Sequence, residues 1–503
     1  MTSPLPLLLL VGLSIPFLGK PVHIDDANFV AMARATSEHP WTPHAFSINW
    51  GGQTERAFEV LSNPPGIALW LAPVAHLSVT WMHLWMLPWL GLVVWGAFKL
   101  GQITGGRPGA AALLIGGAPV AMLATQALTP DLPLLALSVA GVAGLLDDRK
   151  PASQRWPAAL CLGLAVLFRY SAIALLPLAF LWPWLSGDRK AALRLPVIAF
   201  IPLALLMVHD LLAYGEVHML AMVGFQSTAN SGADMAHKAI SIFAYLGGTA
   251  CLPFLALARP GRAAVGALVS AGLAYAVMSS VPSVTPMWLG MAFAAAGGAT
   301  LSVIASKPDR IHTFLVTWLL LGIGLLLSLR FSAARYWAPF YAPAVLLGLR
   351  VAPRWLSSTA TAATLGLGLV LAADDLDLAE TQARAAEQAA VAGPGYISGH
   401  WGFQHHLTER GWVPVEEDQP LAGGSWIALS KIAWPQLPSN ECWDFMEVHT
   451  FPDPRPGVRV HSHDAGVNIH GNHISGPPSA RVFAPWGFAD DPMDHLSLRR
   501  TCP

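Results

Sequence analysis

Residues 4–29 read PLPLLLLVGLSIPFLGKPVHIDDANF, an apolar run that is followed directly by two adjacent carboxylates, Asp25 and Asp26. Charge is scarce in this chain, in which 54% of the residues are hydrophobic and only 12% are charged. Removing a carboxylate from water beside a membrane is costly unless a partner offsets the charge or a reaction uses it. The pair therefore indicates a site that uses charge, and general-base chemistry at a membrane surface is one such use.

Apolar stretches recur as far as about Leu371, and most are near the length that crosses about 30 Å of hydrocarbon. We predict a mainly α fold, a polytopic membrane bundle of about thirteen transmembrane helices. Segment 4–19 is expected to be a retained span rather than a signal peptide, because no basic residue precedes it. The predicted spans are 4–19, 80–99, 109–124, 133–146, 156–168, 171–186, 195–213, 238–258, 263–281, 287–305, 311–330, 336–350 and 355–373.

Lysine and arginine concentrate in alternate loops between these segments. One set of loops contains Arg149, Arg189 and Arg350, whereas the opposite set is acidic and contains Glu55 and Asp131. The positive-inside rule assigns the basic loops to the cytoplasm. The N-terminus is then cytoplasmic, and an odd number of spans leaves the C-terminal region outside.

Two large external regions follow from this topology. The first loop covers 20–79 within a membrane domain of 1–373, and it should contain a helix over 26–37 and an interfacial helix over 64–73. The tail, 374–503, is rich in turn formers and has short apolar runs, which predict a small C-terminal α/β domain. Cys442 and Cys502 lie in this tail and can pair if it is external.

Further charged residues are expected on the outer side with the Asp pair. Asp131, in LTPDLP (128–133), begins a predicted span and offers a second acidic site. Arg335 and Tyr336 open another span, where the guanidinium could bind the phosphate of a lipid-linked substrate in a bidentate manner. Simpler roles stay open, because an aspartate can cap a helix and an arginine can reach lipid phosphates. Two more candidates for the phosphate are Arg169, which precedes a tyrosine, and Arg330.

Histidines in the tail raise the question of a metal. Spacings of one or two residues between histidines can chelate zinc, but no cysteine or acidic residue completes a known pattern. Binding of a divalent metal ion therefore stays an open question, and no other cofactor is predicted. The histidines concerned are His400, His405, His406, His461, His463, His470 and His473.

The order of these motifs resembles the GT-C class of membrane glycosyltransferases, in particular the protein-mannosyltransferase and aminoarabinose-transferase group (families 39 and 83). The resemblance covers roughly residues 1–350. It is carried by the Asp pair after the first span, NPP (63–65), TPD (129–131), RY (169–170) and RYWAP (335–339). Many members have a basic residue where this chain has Asn63, and Arg56 is the residue that could replace that charge.

This resemblance implies an inverting transfer from a polyprenyl-phosphate sugar to a lipid, glycan or protein acceptor at the periplasmic face of a bacterial inner membrane. It implies that Asp25 or Asp26 is the base, that Asp131 is the second acidic site, and that Arg335 binds the donor phosphate. Membrane lipids are the other expected partner, and the net charge of −1 gives no sign of nucleic-acid binding. The alternatives are a transporter or flippase of lipid-linked sugars, or an assembly protein that works through its tail.

Overall fold

The chain forms a mainly helical bundle with a small region of strands at its C-terminal end. This computed structural model describes residues 4–105, 107–149, 151–227, 232–304, 308–329, 333–436, 438–439, 442–474 and 480–503. One large apolar core runs through the helical part, and smaller cores lie beneath the strands. The predicted fold class, a mainly α bundle with a small C-terminal α/β region, is confirmed in this outline.

Six helices in the described part of the chain are long and apolar enough to cross a membrane. A seventh span arises if Pro108–Gly116 and Pro119–Thr125 are counted together, although they meet at 64°. The bend follows from Pro119, because proline has no N–H to continue the hydrogen bonds of the preceding helix. The six long helices are Val79–Thr104, Arg189–Tyr214, Pro260–Ser280, Met287–Ile304, Arg310–Ser328 and Arg354–Ala390.

The remaining predicted spans coincide with shorter helices. A helix of 10 residues such as Leu5–Ser14 is only about 15 Å long, which is half of the hydrocarbon layer. The figure of about thirteen spans therefore stays a prediction. These shorter helices are Leu5–Ser14, Asp131–Leu146, Trp156–Val166, Leu178–Leu185, Gly232–Gly248, Pro253–Ala256 and Ala342–Val351. A further helix, His218–Ser227, lies outside every predicted span.

The loop 20–79 has the two helices that were predicted for it. Asp26–Glu38 follows the Asp pair, and Gly66–Leu71 lies between prolines. Gly66 donates its N–H to the Leu167 carbonyl at 2.8 Å. A Cβ at this position would lie 2.3 Å from the same oxygen, so only glycine permits the contact. The loop also contains the short helix Ala57–Val60 and a hairpin of Ser47–Asn49 with Thr54–Arg56.

The tail is built around one five-stranded mixed sheet. Its strand order is Val413–Pro414, Tyr396–Ser398, Trp426–Ser430, Asp494–Thr501, Trp443–Phe451, with parallel pairing at the first two contacts and antiparallel pairing at the others. Helix Trp401–Thr408 packs against it, and Cys442 and Cys502 form a disulfide. Three small antiparallel pairs join His461–Ser462 to Val467–Asn468, Gly457–Arg459 to Gly487–Ala489, and His473–Ile474 to Ala480–Arg481.

A single helix, Arg354–Ala390, connects the bundle to the tail. It has 37 residues and runs without a break through the predicted boundary at 373. Its alanine-rich end, at Ala385 and Ala389, belongs to the core beneath the tail sheet. The Asp374 carboxylate accepts a hydrogen bond from Val460 N at 2.6 Å. The division into 1–373 and 374–503 stays a prediction, because these contacts join the two parts closely.

Candidate active site

Asp25 and Arg335 form an ion pair between the loop 20–79 and the segment that precedes helix Ala342–Val351. Arg335 Nη2 donates to Asp25 Oδ2. The Asp25 side chain makes no capping bond to the helix that follows, so the simple capping role is wrong for this residue. Burial alone would raise the pKa of Asp25, but the guanidinium outweighs burial and holds the pKa below its usual range.

Asp26 lies next to this pair but in a different environment. Its side chain is buried, and Oδ1 accepts a hydrogen bond from Leu128 N at 2.8 Å. Burial raises the pKa of Asp26 to about 7, although the nearby Lys20 ammonium acts in the opposite direction. The two adjacent carboxylates therefore differ in charge state near neutral pH, with Asp25 fixed as an anion and Asp26 able to titrate.

Asp131 and Arg169 form a second ion pair beside the first. Asp131 is the first residue of helix Asp131–Leu146, and Arg169 Nη1 donates to its Oδ1. The Tyr336 ring links the two pairs, because the centre of the ring lies 4.2 Å from the Arg169 guanidinium carbon and 5.6 Å from that of Arg335. We call these residues the Arg–Asp cluster: Asp25, Asp131, Arg169, Arg335 and Tyr336.

A small cavity opens between this cluster and the helix that carries Asp375. Its walls include Asp26, Asp131 and Arg335. The volume open to water is about 30 Å³, which is room for about two water molecules. A sugar does not fit in that volume, so a sugar substrate requires either a wider arrangement or a position at the mouth of the cavity.

Arg56 is not brought to this cluster. Its exposed side chain donates from Nε to Glu59 at 2.9 Å, and its Nη2 lies 3.9 Å from Glu216. The Arg56 guanidinium, which was expected to supply positive charge to the donor phosphate, is thus paired with two surface carboxylates. Arg330 lies outside the described residues.

Another wall of the cavity joins His470, one of the tail histidines considered for a metal, to Lys20, His23 and Asp375, which the sequence did not indicate. Asp375 pairs with Lys20 through Oδ2, and both of these side chains are 1% exposed. Its Oδ1 lies 2.8 Å from His470 Nε2 and 3.3 Å from His23 Nε2. Burial lowers the pKa of His23 to about 4, so this imidazole is neutral at pH 7. The available signal was a run of acids, DDLD (374–377), at the end of an apolar helix.

This group also concerns the divalent metal ion that the sequence left as an open question. The ligand atoms of His23, Asp375 and His470 lie within 4.8 Å of one another, which is close enough to share an ion. Asp375 supplies the acidic ligand that the histidine pattern of the tail lacked. However, Lys20 already balances its charge, so an incoming cation would have to displace that ammonium.

Asp375→Asn should destabilise the protein by about 3–5 kcal/mol, because it leaves the buried Lys20 ammonium without its carboxylate. Thermal unfolding of the purified protein measures the loss. Asp377→Asn is the matched control on the same helix, since its partner Arg455 is 54% exposed and can be solvated. Equal losses for the two variants would contradict the assigned importance of the Lys20 pair.

Among known proteins, several solved structures are similar to this chain. No family model and no curated protein matches the chain. ArnT from Cupriavidus metallidurans bound to undecaprenyl phosphate is 16% identical, with a TM-score of 0.41 over 85% of this chain and 93% of that one. The Archaeoglobus fulgidus oligosaccharyltransferase in complex with zinc and sulfate is 10% identical, with a TM-score of 0.44 over 84% of this chain and 68% of that one.

A third similar structure is the arabinofuranosyltransferase AftD from Mycobacteria. It is 11% identical to this chain, with a TM-score of 0.43, and the match covers all of this chain and 40% of that one. These structures are GT-C glycosyltransferases, the class that the sequence motifs resemble. At such identities and TM-scores they do not define a function, which is argued below from the site.

Proposed function

We propose that this protein is a membrane glycosyltransferase that moves a sugar from a polyprenyl-phosphate donor to an acceptor outside the membrane. The observation that carries the proposal is the Arg–Asp cluster, in which two guanidiniums and two carboxylates meet beside a cavity. Two further buried aspartates, Asp26 and Asp375, line that cavity. A phosphate leaving group needs positive charge close to it, and an acceptor hydroxyl or amine needs a base. The cluster contains both.

Arg335 is the proposed ligand of the donor phosphate. One of its nitrogens holds Asp25, while its Nε is buried and has no hydrogen-bond partner among the described residues. A buried donor without a partner is costly, and a phosphate oxygen would satisfy it. Arg169, on the other side of the Tyr336 ring, adds a second positive charge nearby.

Donor binding would also change the state of Asp25. A phosphate on Arg335 competes with the Asp25 carboxylate for the same guanidinium. Once released, Asp25 loses the charge that lowers its pKa and becomes a stronger base. Its side chain is 24% exposed, whereas that of Asp26 is buried, so Asp25 is the better placed of the two to meet an acceptor.

The proposed reaction is a single inverting displacement. The acceptor oxygen or nitrogen forms a bond to the anomeric carbon from the face opposite the phosphate. The bond from that carbon to the phosphate oxygen breaks, and its electron pair leaves with the polyprenyl phosphate. The acceptor proton passes to Asp25, while Arg335 and Arg169 stabilise the leaving phosphate. Asp131 keeps Arg169 in place through their ion pair.

The orientation is part of the proposal. Charge alternation favours a cytoplasmic N-terminus and a periplasmic C-terminal region in a bacterial inner membrane. The Cys442–Cys502 disulfide supports an external tail, because disulfides persist in oxidising compartments. Reaching thirteen spans would require the short and broken helices to cross the bilayer in pairs or with local thinning. The sugar, a hexose or a pentose, and the acceptor, a lipid, glycan or protein, stay open.

A deletion strain tests the proposal. Mass spectrometry of its envelope lipids, glycans and glycoproteins should show the loss of one sugar mass from one acceptor class. The native gene and an Arg350→Gln variant should restore that mass, because Arg350 pairs with Asp309 away from the cluster. Arg335→Gln should not restore it, since a neutral amide cannot stabilise the leaving phosphate.

The same strains separate the proposal from its main rival. A flippase or transporter would move lipid-linked sugar in liposomes made with the purified protein and form no covalent product. Movement of donor without any transfer, together with an unchanged set of acceptor masses in the deletion strain, would overturn the glycosyltransferase assignment.

A further inference from the structure

We propose that a cleft between the external loop and the tail binds a saccharide chain. The cleft has a volume of about 420 Å³ and is separate from the cavity at the Arg–Asp cluster. Three tryptophans, a histidine, a glutamate and a glutamine contribute to its walls: Trp50, Trp401, Trp434, His400, Glu417 and Gln436. Saccharide binding stands on this cleft alone, whereas its use to hold the acceptor or product glycan rests on the proposed function.

The tryptophans supply the apolar part of such a site. An indole ring has an electron-rich face that attracts the slightly positive C–H groups on one side of a sugar ring. Trp434 is 38% exposed, so part of its ring is available to a ligand in the cleft. Trp50 comes from the external loop and Trp401 from the tail, so the two parts of the protein complete the cleft together.

The backbone at two of these tryptophans is strained. Trp401 has a φ of 63° and Trp434 a φ of 56°, which is the left-handed region that bulky residues rarely adopt. Such conformations persist where the surrounding structure enforces them, and they concentrate at functional sites. Two such strained residues at one cleft indicate that the surrounding structure fixes the direction of these rings at the expense of backbone strain.

Polar atoms without partners supply the rest of the site. His400 is 6% exposed, its ring lies 5.7 Å from that of Trp50, and its Nδ1 has no hydrogen-bond partner among the described residues. Gln436 Oε1 is also buried without a partner, and the Glu417 side chain is exposed. Burial lowers the pKa of His400 to about 4, so its ring is neutral at pH 7. Sugar hydroxyls both donate and accept, and can satisfy all three groups.

The cleft is next to the segment that leads into the Asp pair. Gly402, one residue after Trp401, packs so closely that a Cβ there would lie 2.4 Å from the Val22 carbonyl oxygen. His406 Nε2 also lies 3.1 Å from that oxygen. A saccharide in the cleft would thus lie a short distance from the proposed base, as an extended acceptor or product requires.

The test uses the full chain in lipid nanodiscs, because maltoside detergents carry a sugar that could fill the cleft. The probes are tetrasaccharides of glucose, mannose, N-acetylglucosamine and arabinose, and binding is followed by saturation-transfer NMR and tryptophan fluorescence. At least one probe should bind saturably at millimolar concentration or below. Binding of none of them would overturn the proposal.

Variants locate the binding. Trp434→Gly should weaken it at least about 10-fold and should not lower the melting temperature, because glycine adopts the positive φ without strain. Glu417→Gln is a second, exposed change that should also weaken binding. Trp41 is a 61% exposed tryptophan of the same loop that lies outside the cleft. The Trp41→Ala variant should therefore bind the saccharide as tightly as the native protein does. Unchanged binding by both cleft variants would overturn the assignment.

The two proposals fail separately in these experiments. Asp25→Asn should lower transfer about 1,000-fold and keep saccharide binding intact. If the protein bound saccharide but had no transferase activity, saccharide binding in the cleft would be supported and the proposed function would be rejected. If the protein transferred sugar but bound no saccharide, the proposed function would be supported and the saccharide site in the cleft would be rejected.

Discussion

Asp25→Asn is expected to lower sugar transfer about 1,000-fold, the size of effect that loss of a general base produces. The same change should make the donor bind more tightly. Asp25 and the donor phosphate compete for Arg335, and an amide competes far less well than a carboxylate. The measurement is a comparison of kcat and KM with an undecaprenyl-phosphate sugar, once mass spectrometry has identified the sugar.

The opposite pattern is expected when the arginine is changed. Arg335→Gln should weaken donor binding as well as transfer, because the phosphate loses its charged ligand. Asp309→Asn is the matched control for the carboxylate, since Asp309 also pairs with an arginine but lies away from the cavity. If Asp25→Asn raised the KM for the donor and left kcat unchanged, Asp25 would be a binding residue rather than the base.

Asp26→Asn is expected to make the protein more stable at neutral and alkaline pH. The folded state raises the pKa of Asp26 from 3.8 to about 7, so it binds this proton more tightly than the unfolded chain does. The stability that this proton contributes is complete below pH 4 and is lost as the pH rises to about 7. Asparagine carries no charge at any pH and can still accept the Leu128 hydrogen bond.

Thermal unfolding between pH 4 and pH 8 measures this difference. The melting temperature of Asp26→Asn should exceed that of the native protein by an amount that grows up to about pH 7 and then stays constant. Above pH 7 the gain corresponds to a few kcal/mol. Exposed Asp464 provides the control, since Asp464→Asn should show no such trend. A gain that shrinks as the pH rises would contradict an Asp26 carboxyl that is neutral at low pH.

The residues of the Arg–Asp cluster could be predicted from the sequence because each stands at the end of an apolar segment. Their order along the chain and the alternation of charge were enough to assign Asp25, Asp131 and Arg335 to one side of the membrane. The ion pairs that join them could not be predicted, because Asp25 and Arg335 are 310 residues apart. Only packing of the bundle decides which arginine meets which aspartate.

Two features were harder to predict for different physical reasons. Arg56 looked available to a phosphate, yet Glu59 stands three residues later and can form a local ion pair. Asp375 looked like the start of a polar tail, because hydropathy falls there. The helix nevertheless continues to Ala390, since alanine and glutamine favour helix whether or not lipid surrounds them. Hydropathy alone therefore does not show that this helix contributes a wall of the site, and the acidic run DDLD (374–377) is the signal that could have done so.

In the proposed orientation, the unbroken helix Arg354–Ala390 places two of its residues at different heights above the bilayer. Asp375 is 21 residues beyond Arg354, or about 32 Å at 1.5 Å per residue, which matches the hydrocarbon thickness. Gln382, which Gly402 contacts beside the cleft, is seven residues further, or about 10 Å. A lipid-borne donor would thus react at the surface of the membrane, while a growing glycan would be held roughly 10 Å further out. That interval favours acceptors several units long over a bare lipid headgroup.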